Sequence, residues 1–519
     1  MIRFLPIGPQ ILLAELPDLD ATLALMDALL ADPVPGIAEI VPAARTLMIR
    51  SAPGTPADGA LAAKIRARQP APGTAPAPRA ADTVEIPVTY DGEDLDEVAR
   101  HLGLTTTEVI AAHQAATWQV AFCGFAPGFA YMTGDDPRFD LPRRAAPRQA
   151  IPAGSVALAG RFCGIYPQAS PGGWQLIGRT RLPMFDLTRD PAALLRPGMG
   201  VRFLEGEAKV HPVTVPPAPQ AKGLRILQTT FPILVQDAGR ARQAGQGVSA
   251  SGALDLGALR RANRAVGNAP HAAALEITLG PVRLQAETAL TLALAGAGQA
   301  VAAGHLVPPG AAFALDAGDE LVIEAPARGM RSYLALRGGF ALDPVLGSCA
   351  RDTLADLGPA PLVAGDALGA AGTPAEATWP PEPQPDLPAA GETVTLPVVM
   401  GPRTDWFPPE TVARFLAQDW LVTPQSSRVG IRLSGEPITR PDSTELPSEG
   451  TATGAIQVPH TGQPVLFLAD HPLTGGYPVI ATLHPSALDL AGQLPPGARI
   501  RFAALAPFAP LTPEPDDVS

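Results

Sequence analysis

Apolar residues along this chain come mostly in short runs cut by glycine and proline, the pattern of many short strands rather than of long helices. Near the N-terminus "IGPQILLAEL" and "ARTLMIRSAP" read as strands, and between them "LDATLALMDALLAD" spaces its leucines as one face of a helix. The strand-like "TVEIPVTYDG" leads into two helices, "DLDEVARHLG" and "LTTTEVIAAHQAAT"; Thr105 with Glu108 three residues on predicts a capping box at the second. From about 117 to 207 the short apolar runs predict a small barrel or sandwich. After Gly223 the pattern starts afresh with the strand "LRILQTTFPILVQD", the helix "LDLGALRRANRAVG", and the strands "LEITLG", "ALTLALAG" and "ELVIEAP". A last β-rich stretch runs from 391 to about 506, and the closing "PLTPEPDDVS" predicts a frayed end.

Three Pro-rich joints punctuate this pattern: "RQPAPGTAPAPRAAD", "HPVTVPPAPQAKG" and "GTPAEATWPPEPQPDLPAAGE". They divide the chain into a small α/β domain over 1–75, a β-barrel over 82–210, a β-rich domain over 223–385 and a second barrel over 391–508. The two barrel stretches echo each other. "AGSVALAGRFCGIYPQASPGGW" and "TGAIQVPHTGQPVLFLADHPLTGGY" both run strand, Gly-containing turn, strand, loop, then Gly-Gly-aromatic. The longer copy needs only a longer hairpin turn, which costs little. The expected fold is therefore mainly β with α+β elements.

Composition narrows the function. A net charge of −12 argues against a nucleic-acid or anionic-membrane partner. With 61 prolines and 51 glycines in a chain of 46% hydrophobic residues, the Pro content reads as turns and rigid loops of a folded protein. The three cysteines are odd in number and widely spaced, so they predict reduced thiols and neither a disulfide framework nor a thiolate metal site. "MIRFLPIGPQILLAEL" has no secretory pattern and no apolar run approaches the ~20 residues of a membrane span, so a cytoplasmic protein is expected.

Familiar catalytic signatures are missing. Only Lys64, Lys209 and Lys222 occur, none after a Gly-rich turn as a P-loop requires and none beside Met as in a biotin attachment sequence. An anion site would instead use backbone N–H groups of Gly-rich loops with arginines. Such loops hold Gly128 in "GFAPGFAY", Ser170, Gly172, Gly173 and Trp174 in "SPGGW", Arg337 and Gly338 in "RGG", and Gly475, Gly476 and Tyr477 in "LTGGY". Each is equally readable as a tight turn. His113 is a candidate acid/base or phosphate ligand, with a packed helical histidine as the alternative. Arg148 suits a bidentate anion clamp or an ion pair. In the second half Asp237, Arg240, Ser251 and Gly252 surround a glycine turn and a helix start, and Glu276 is a charge inside an apolar strand. Ser426, Arg428, Glu449, Gln457 and Asp470 stand at strand ends, where barrels present ligands.

The strings "GFAPGFAYM", "LPRRAAPRQAIPAGSVALAG" and "GIYPQASPGGWQLIGRT" resemble the B subunit of 5-oxoprolinase, also named allophanate hydrolase subunit 1, a family that includes a sensor-kinase inhibitor. The strings "VQDAGR", "GVSASGALD", "ALEITLG", "YLALRGGF", "PQSSRVGIRLSG" and "SEGTATGAIQVPHTGQPVLFLAD" resemble the C subunit of the same enzyme, the carboxyltransferase-domain or allophanate hydrolase subunit 2 group. The chain looks like a natural fusion of the two. That resemblance implies tandem cyclophilin-like β-barrels, ATP-dependent opening of 5-oxoproline to glutamate, and a separate A subunit as partner. It also implies Mg²⁺ carried mainly by nucleotide phosphates, with Asp237, Glu276, Glu449 and Asp470 as candidate carboxylates and no metal ligand assigned. No covalently attached biotin is expected. The alternatives are a carboxyltransferase module acting on urea or a related amide, and a non-catalytic regulator docking on a histidine kinase. "ADHPLTGGYP" and "LGSCARDTLADLG" depart from the families' usual wording.

Overall fold

A computed structural model describes residues 2–71, 73–74, 83–144, 146–207, 222–440 and 446–514. Most of the first two Pro-rich joints lies outside these residues. The first unit is a four-stranded antiparallel sheet covered by the helices Leu19–Ala31 and Gly59–Arg66. Asp18 and Asp58 start these helices by accepting the N–H groups of Ala21 and Leu61. The second helix went unread in the sequence, because only Leu61, Ala62 and Ile65 of its eight residues reach the core.

The two barrels share one strand order. In the first it is Gln175–Arg179, Ser155–Ala159, Phe162–Ile165, Ala130–Gly134, Trp118–Cys123, Gly200–Glu205, Thr83–Val88. In the second, Val479–Leu483, Ala455–Gln457, Val465–Phe467, Gly430–Ser434, Trp420–Val422, Arg499–Ala504, Thr393–Met400 follow the same course. Each pairs its first strand in parallel with its last. The second barrel closes fully, while the first is closed only by the Thr89–Arg179 bridge. The paired Gly-Gly-aromatic turns also recur in place. Ser170–Gly172 pairs with Arg148–Ile151, and Thr474–Gly475 with Glu449–Gly450. Gly154 and Gly454 both turn at positive φ, 82° and 87°, where a side chain would be strained. The echo in the sequence is one hairpin design used twice.

Between the barrels lies a unit of two facing sheets, six- and five-stranded, with helix Leu256–Ala265 packed on Leu290–Gly296 and Arg331–Leu336. The third Pro-rich joint is a strap bound along it. Arg264 donates to Glu382 at 2.6 and 2.7 Å, Glu376 N–H to Gly267 O at 2.8 Å, and Gly329 N–H to Pro388 O at 2.7 Å. The chain end is also docked where described: Leu511 pairs with Phe4, and Glu514 N–H donates to Gly59 O. Fraying was expected over 510–519; backbone pairing along the edge strand holds 511–514, and 515–519 lie outside the described residues. No described helix is long and apolar enough to cross a membrane.

Candidate functional site

Seven of the residues singled out in the sequence meet where the central unit joins the second barrel. Glu276 projects from Ala274–Thr278, Asp470 follows the strand Val465–Phe467, and Arg428 precedes Gly430–Ser434. Arg428 donates to Glu276 Oε1 at 2.5 Å, to Asp470 at 3.0 Å through two nitrogens, and to Gly252 O at 2.6 Å. Burial works against its charge, yet Glu276 and Asp470 raise its pKa above the ordinary arginine value. Burial alone would raise Asp470, but Arg428 and hydrogen bonds from Ser251 and Thr353 hold it below the usual carboxylate range. Glu276 also accepts from Tyr333 Oη at 2.7 Å and Leu254 N–H at 3.2 Å.

Around this core Asp237 accepts from Gly239 N–H, Ser348 Oγ and Cys349 N–H at 2.6 to 2.8 Å. Arg240 is 1% exposed and donates to Ala350 O, leaving Nε and Nη1 with no partner. Desolvation lowers its pKa, with Asp352, Asp237 and Asp470 opposing. Ser251 takes a left-handed φ of 53° and gives its proton to Asp470 Oδ1 at 2.6 Å. Strained non-glycine residues of this kind concentrate at functional sites.

Ser251 also lines a cavity of ≈ 270 Å³. Its wall comes from both halves of the chain: residues 7–11 and Arg50 from the first, and Leu254, Thr453, Leu468, Thr482 and Asp489 from the second. Thr482 is 3% exposed and its hydroxyl has no partner. A larger cavity of ≈ 390 Å³ opens among residues 16–24, 69–71 and 73–74, but the charged groups on its wall, among the described residues, are Asp18 and Asp20. The smaller one is the better site, since Arg50, Asp489 and Ser251 line it.

The other sequence candidates do not join this cavity. His113 is fully buried in the first barrel, its ring 4.4 Å from Phe203, bonded to Tyr90 Oη at 2.9 Å and 3.5 Å from Cys163 Sγ. Desolvation pushes its pKa down to about 3, so it is neutral and sealed from solvent. Phe415 holds the same place in the second barrel: its ring stacks on Phe502, and its carbonyl accepts from Trp420 as that of His113 accepts from Trp118. The acid/base reading of His113 is corrected accordingly. Arg148 does clamp a carboxylate, but it is Asp94 of its own barrel, at 2.8 and 2.9 Å.

Gly172 and Gly475 answer to packing rather than to a ligand. A Cβ on Gly172 would collide with the Tyr166 hydroxyl and reach Ile151 at 2.9 Å; one on Gly475 would meet Gln457 Nε2 at 2.8 Å. Beside them Ser170 is half-buried, Trp174 is buried against Phe129, and Gln457 donates to Tyr477 O at 3.0 Å, next to Gly476. Gly128 N–H donates to Gln246 O at 2.9 Å, tying the first barrel to the central unit. Glu449 pairs with Arg403, which also reaches Glu15 at 2.7 Å. Ser426 closes its own hairpin on Thr423 O at 2.8 Å. Arg337 donates to Val266 O at 2.7 Å and Glu376 O at 2.8 Å, and Gly338 N–H to Asn268 Oδ1 at 2.9 Å, which secures the strap.

As Mg²⁺ ligands the four candidate carboxylates do not fit, because protein donors already occupy Asp237, Glu276, Glu449 and Asp470. Among the described residues no group of three His, Cys, Asp or Glu is placed to hold a metal. Sequence reasoning missed Arg50, Thr482, Asp489 and Tyr333. Arg50 and Thr482 sit in strands whose pattern marks them only as polar positions, and Tyr333 lies in a strand buried at every residue.

Residues 246–504 match the family described as carboxyltransferase domain, subdomain A and B, and residues 2–195 match carboxyltransferase domain, subdomain C and D. The C subunit of 5-oxoprolinase from Escherichia coli is 37% identical over 283 residues, 54% of this chain and 90% of that protein. The B subunit from Bacillus subtilis is 48% identical over 124 residues, 23% of this chain and 52% of that protein, so the chain spans about half of this relative. The crystal structure of TTHA0988 matches at a TM-score of 0.82 and 35% identity over 97% of this chain and 100% of that one. The urea amidolyase of K. lactis matches at a TM-score of 0.52 and 27% identity over 56% of this chain and 19% of that one.

Proposed function

Because this chain belongs to the carboxyltransferase-domain family and joins a half like the 5-oxoprolinase B subunit to one like the C subunit, we propose that it is the ATP-using component of a 5-oxoprolinase. It would work with a separate A subunit. One observation carries the reading: the cavity beside the buried charge network takes its walls from both halves, so a small amide bound there needs B-like and C-like parts together.

In the proposed reaction the lactam carbonyl oxygen attacks the γ-phosphoryl group of ATP. An O–P bond forms and ADP leaves. Water then adds to the activated carbon, the ring C–N bond breaks with its nitrogen taking a proton, and a second water hydrolyses the resulting acyl phosphate to glutamate and phosphate. An unactivated amide is a poor electrophile, so the gain lies in positioning and in fixed donors aimed at developing charge. Metal ions would arrive with the nucleotide as part of the substrate, and no step is assigned to a resident metal.

The test is a coupled assay of the purified protein with the A subunit, ATP and 5-oxoproline. Stoichiometric ADP and glutamate are expected; neither product would end this reading. The likeness to urea amidolyase favours a second reading, carboxyl transfer to urea, which predicts turnover with a carboxybiotin donor instead.

A further inference from the structure

From Trp379 to Pro385 every residue of the strap is a proline or precedes one. Proline fixes φ at about −65° and bars the α region to the residue before it. This stretch therefore runs as an extended left-handed helix of about three residues per turn. Burial follows that period. Pro380, Pro383 and Asp386 are all exposed, whereas Gln384 and Leu387, on the next row, are half-buried. Gln384 accepts from Gly296 N–H at 3.3 Å, and Leu387 sits where a Cβ on Gly329 would meet it at 2.6 Å. With Glu382 held by Arg264, the inner side is fastened and the outer ridge faces solvent. Trp379, at the head of the ridge, is 53% exposed, an unusual state for the side chain with the most apolar area to bury.

Charge indicates what would cover this ridge. Glu376 and Asp386, near its two ends, are exposed. At the Asp386 end it borders a cleft of ≈ 450 Å³ walled by Pro385, Asp386, Leu387, Glu324 and Arg328. Arg328 is already held by Glu392 at 2.6 and 2.8 Å, with Asp386 the weakest influence on it. Glu324 and Asp386 are in no ion pair among the described residues, so the cleft offers uncompensated negative charge.

We propose that residues 376–387 form a docking ridge for a partner protein with an aromatic-lined groove, whose basic side chain enters the cleft beside Asp386 and Glu324. Aromatic rings of the partner pack in the notch between Pro380 and Pro383 and against Trp379, the kind of residue that anchors interfaces. Because the inner side is already fastened, little freedom is lost on docking. The carboxylates argue against nucleic acid or an anionic membrane in that place. None of these residues lines the ≈ 270 Å³ cavity, so the surface is independent of the amide-activating reading.

Calorimetric titration of the intact protein with a purified EVH1 domain, a module whose aromatic groove takes proline-rich segments, tests this. Binding is expected, and none to the same domain with its groove aromatics replaced by alanine. Trp379→Ala and the double variant Pro380→Ala/Pro383→Ala should each weaken it at least ~10-fold. Asp386→Asn should weaken it ~3- to 10-fold and flatten its salt dependence. Leu30→Ser, at an exposed helix position of the first unit, should leave it unchanged. No binding by the wild-type protein, or binding that Trp379→Ala and Asp386→Asn leave as tight, would overturn the proposal. Both side chains are exposed, so these two variants keep the fold. Self-association in sedimentation equilibrium that Trp379→Ala abolishes would make a second copy the occupant and overturn it too.

Discussion

His113 shows how one side chain can be read as chemistry and turn out to be packing. Its pKa of about 3, against an ordinary 6.5, has a direct consequence for acid stability. Between those values the unfolded chain takes up a proton that the folded protein refuses, so stability falls as pH drops below 6.5 and rises with pH across the window. His471, pushed down to about 4 by burial, acts in the same sense over its upper part. Each group contributes up to ~1.4 kcal/mol per pH unit. His113→Phe, the residue its counterpart Phe415 already uses, should keep stability at pH 7 within ~1 kcal/mol, the worth of its bond to Tyr90. It should also flatten the acid limb of a urea-unfolding pH series. An unchanged acid limb would mean that His113 titrates normally.

At the scale of the element, the recurring hairpin separates glycines that packing demands from glycines it does not. Gly172→Ala should cost ~1–3 kcal/mol, since its Cβ meets Tyr166 and Ile151. Gly173→Ala should be nearly neutral, because its Cβ would find its nearest neighbours at 3.8 Å. Thermal melts of the two variants check the contrast. Local pattern predicted part of this layer: the capping box of Thr105 and Glu108 is present, whereas the helix Leu256–Ala265 is capped by Asp255, which the pattern marks only as a charge suited to the helix dipole. It predicted poorly where packing supplies the signal, as for helix Gly59–Arg66 or the strap over 372–392, whose proline content looked like a free linker.

For the whole molecule, the decisive feature is charge held between units. Arg428 stands between Glu276 and Asp470, and Arg403 between Glu449 and Glu15. Removing one partner of such a buried set leaves uncompensated charge, which typically costs ~3–5 kcal/mol. Arg428→Met should therefore lower the unfolding midpoint sharply and, in scanning calorimetry, split the second barrel's transition from that of the central unit. A single unshifted transition would show that the network contributes little to joining them.

The sequence by itself determined the β-rich architecture, the repeated hairpin, the capping box at Thr105 and the likeness to two enzyme subunits, because periodicity and turn chemistry act over a few residues. It also picked out Glu276 as a charge inside an apolar strand, Arg428 and Asp470 as polar groups at strand ends, and Asp237 beside a glycine turn. Only the tertiary structure decided what those charges do. Glu276 meets Arg428 across 152 positions and Ser251 meets Asp470 across 219, and no local pattern encodes partners so far apart. The same holds for Arg50 and Thr482, ordinary strand residues until two halves of the chain close a cavity around them.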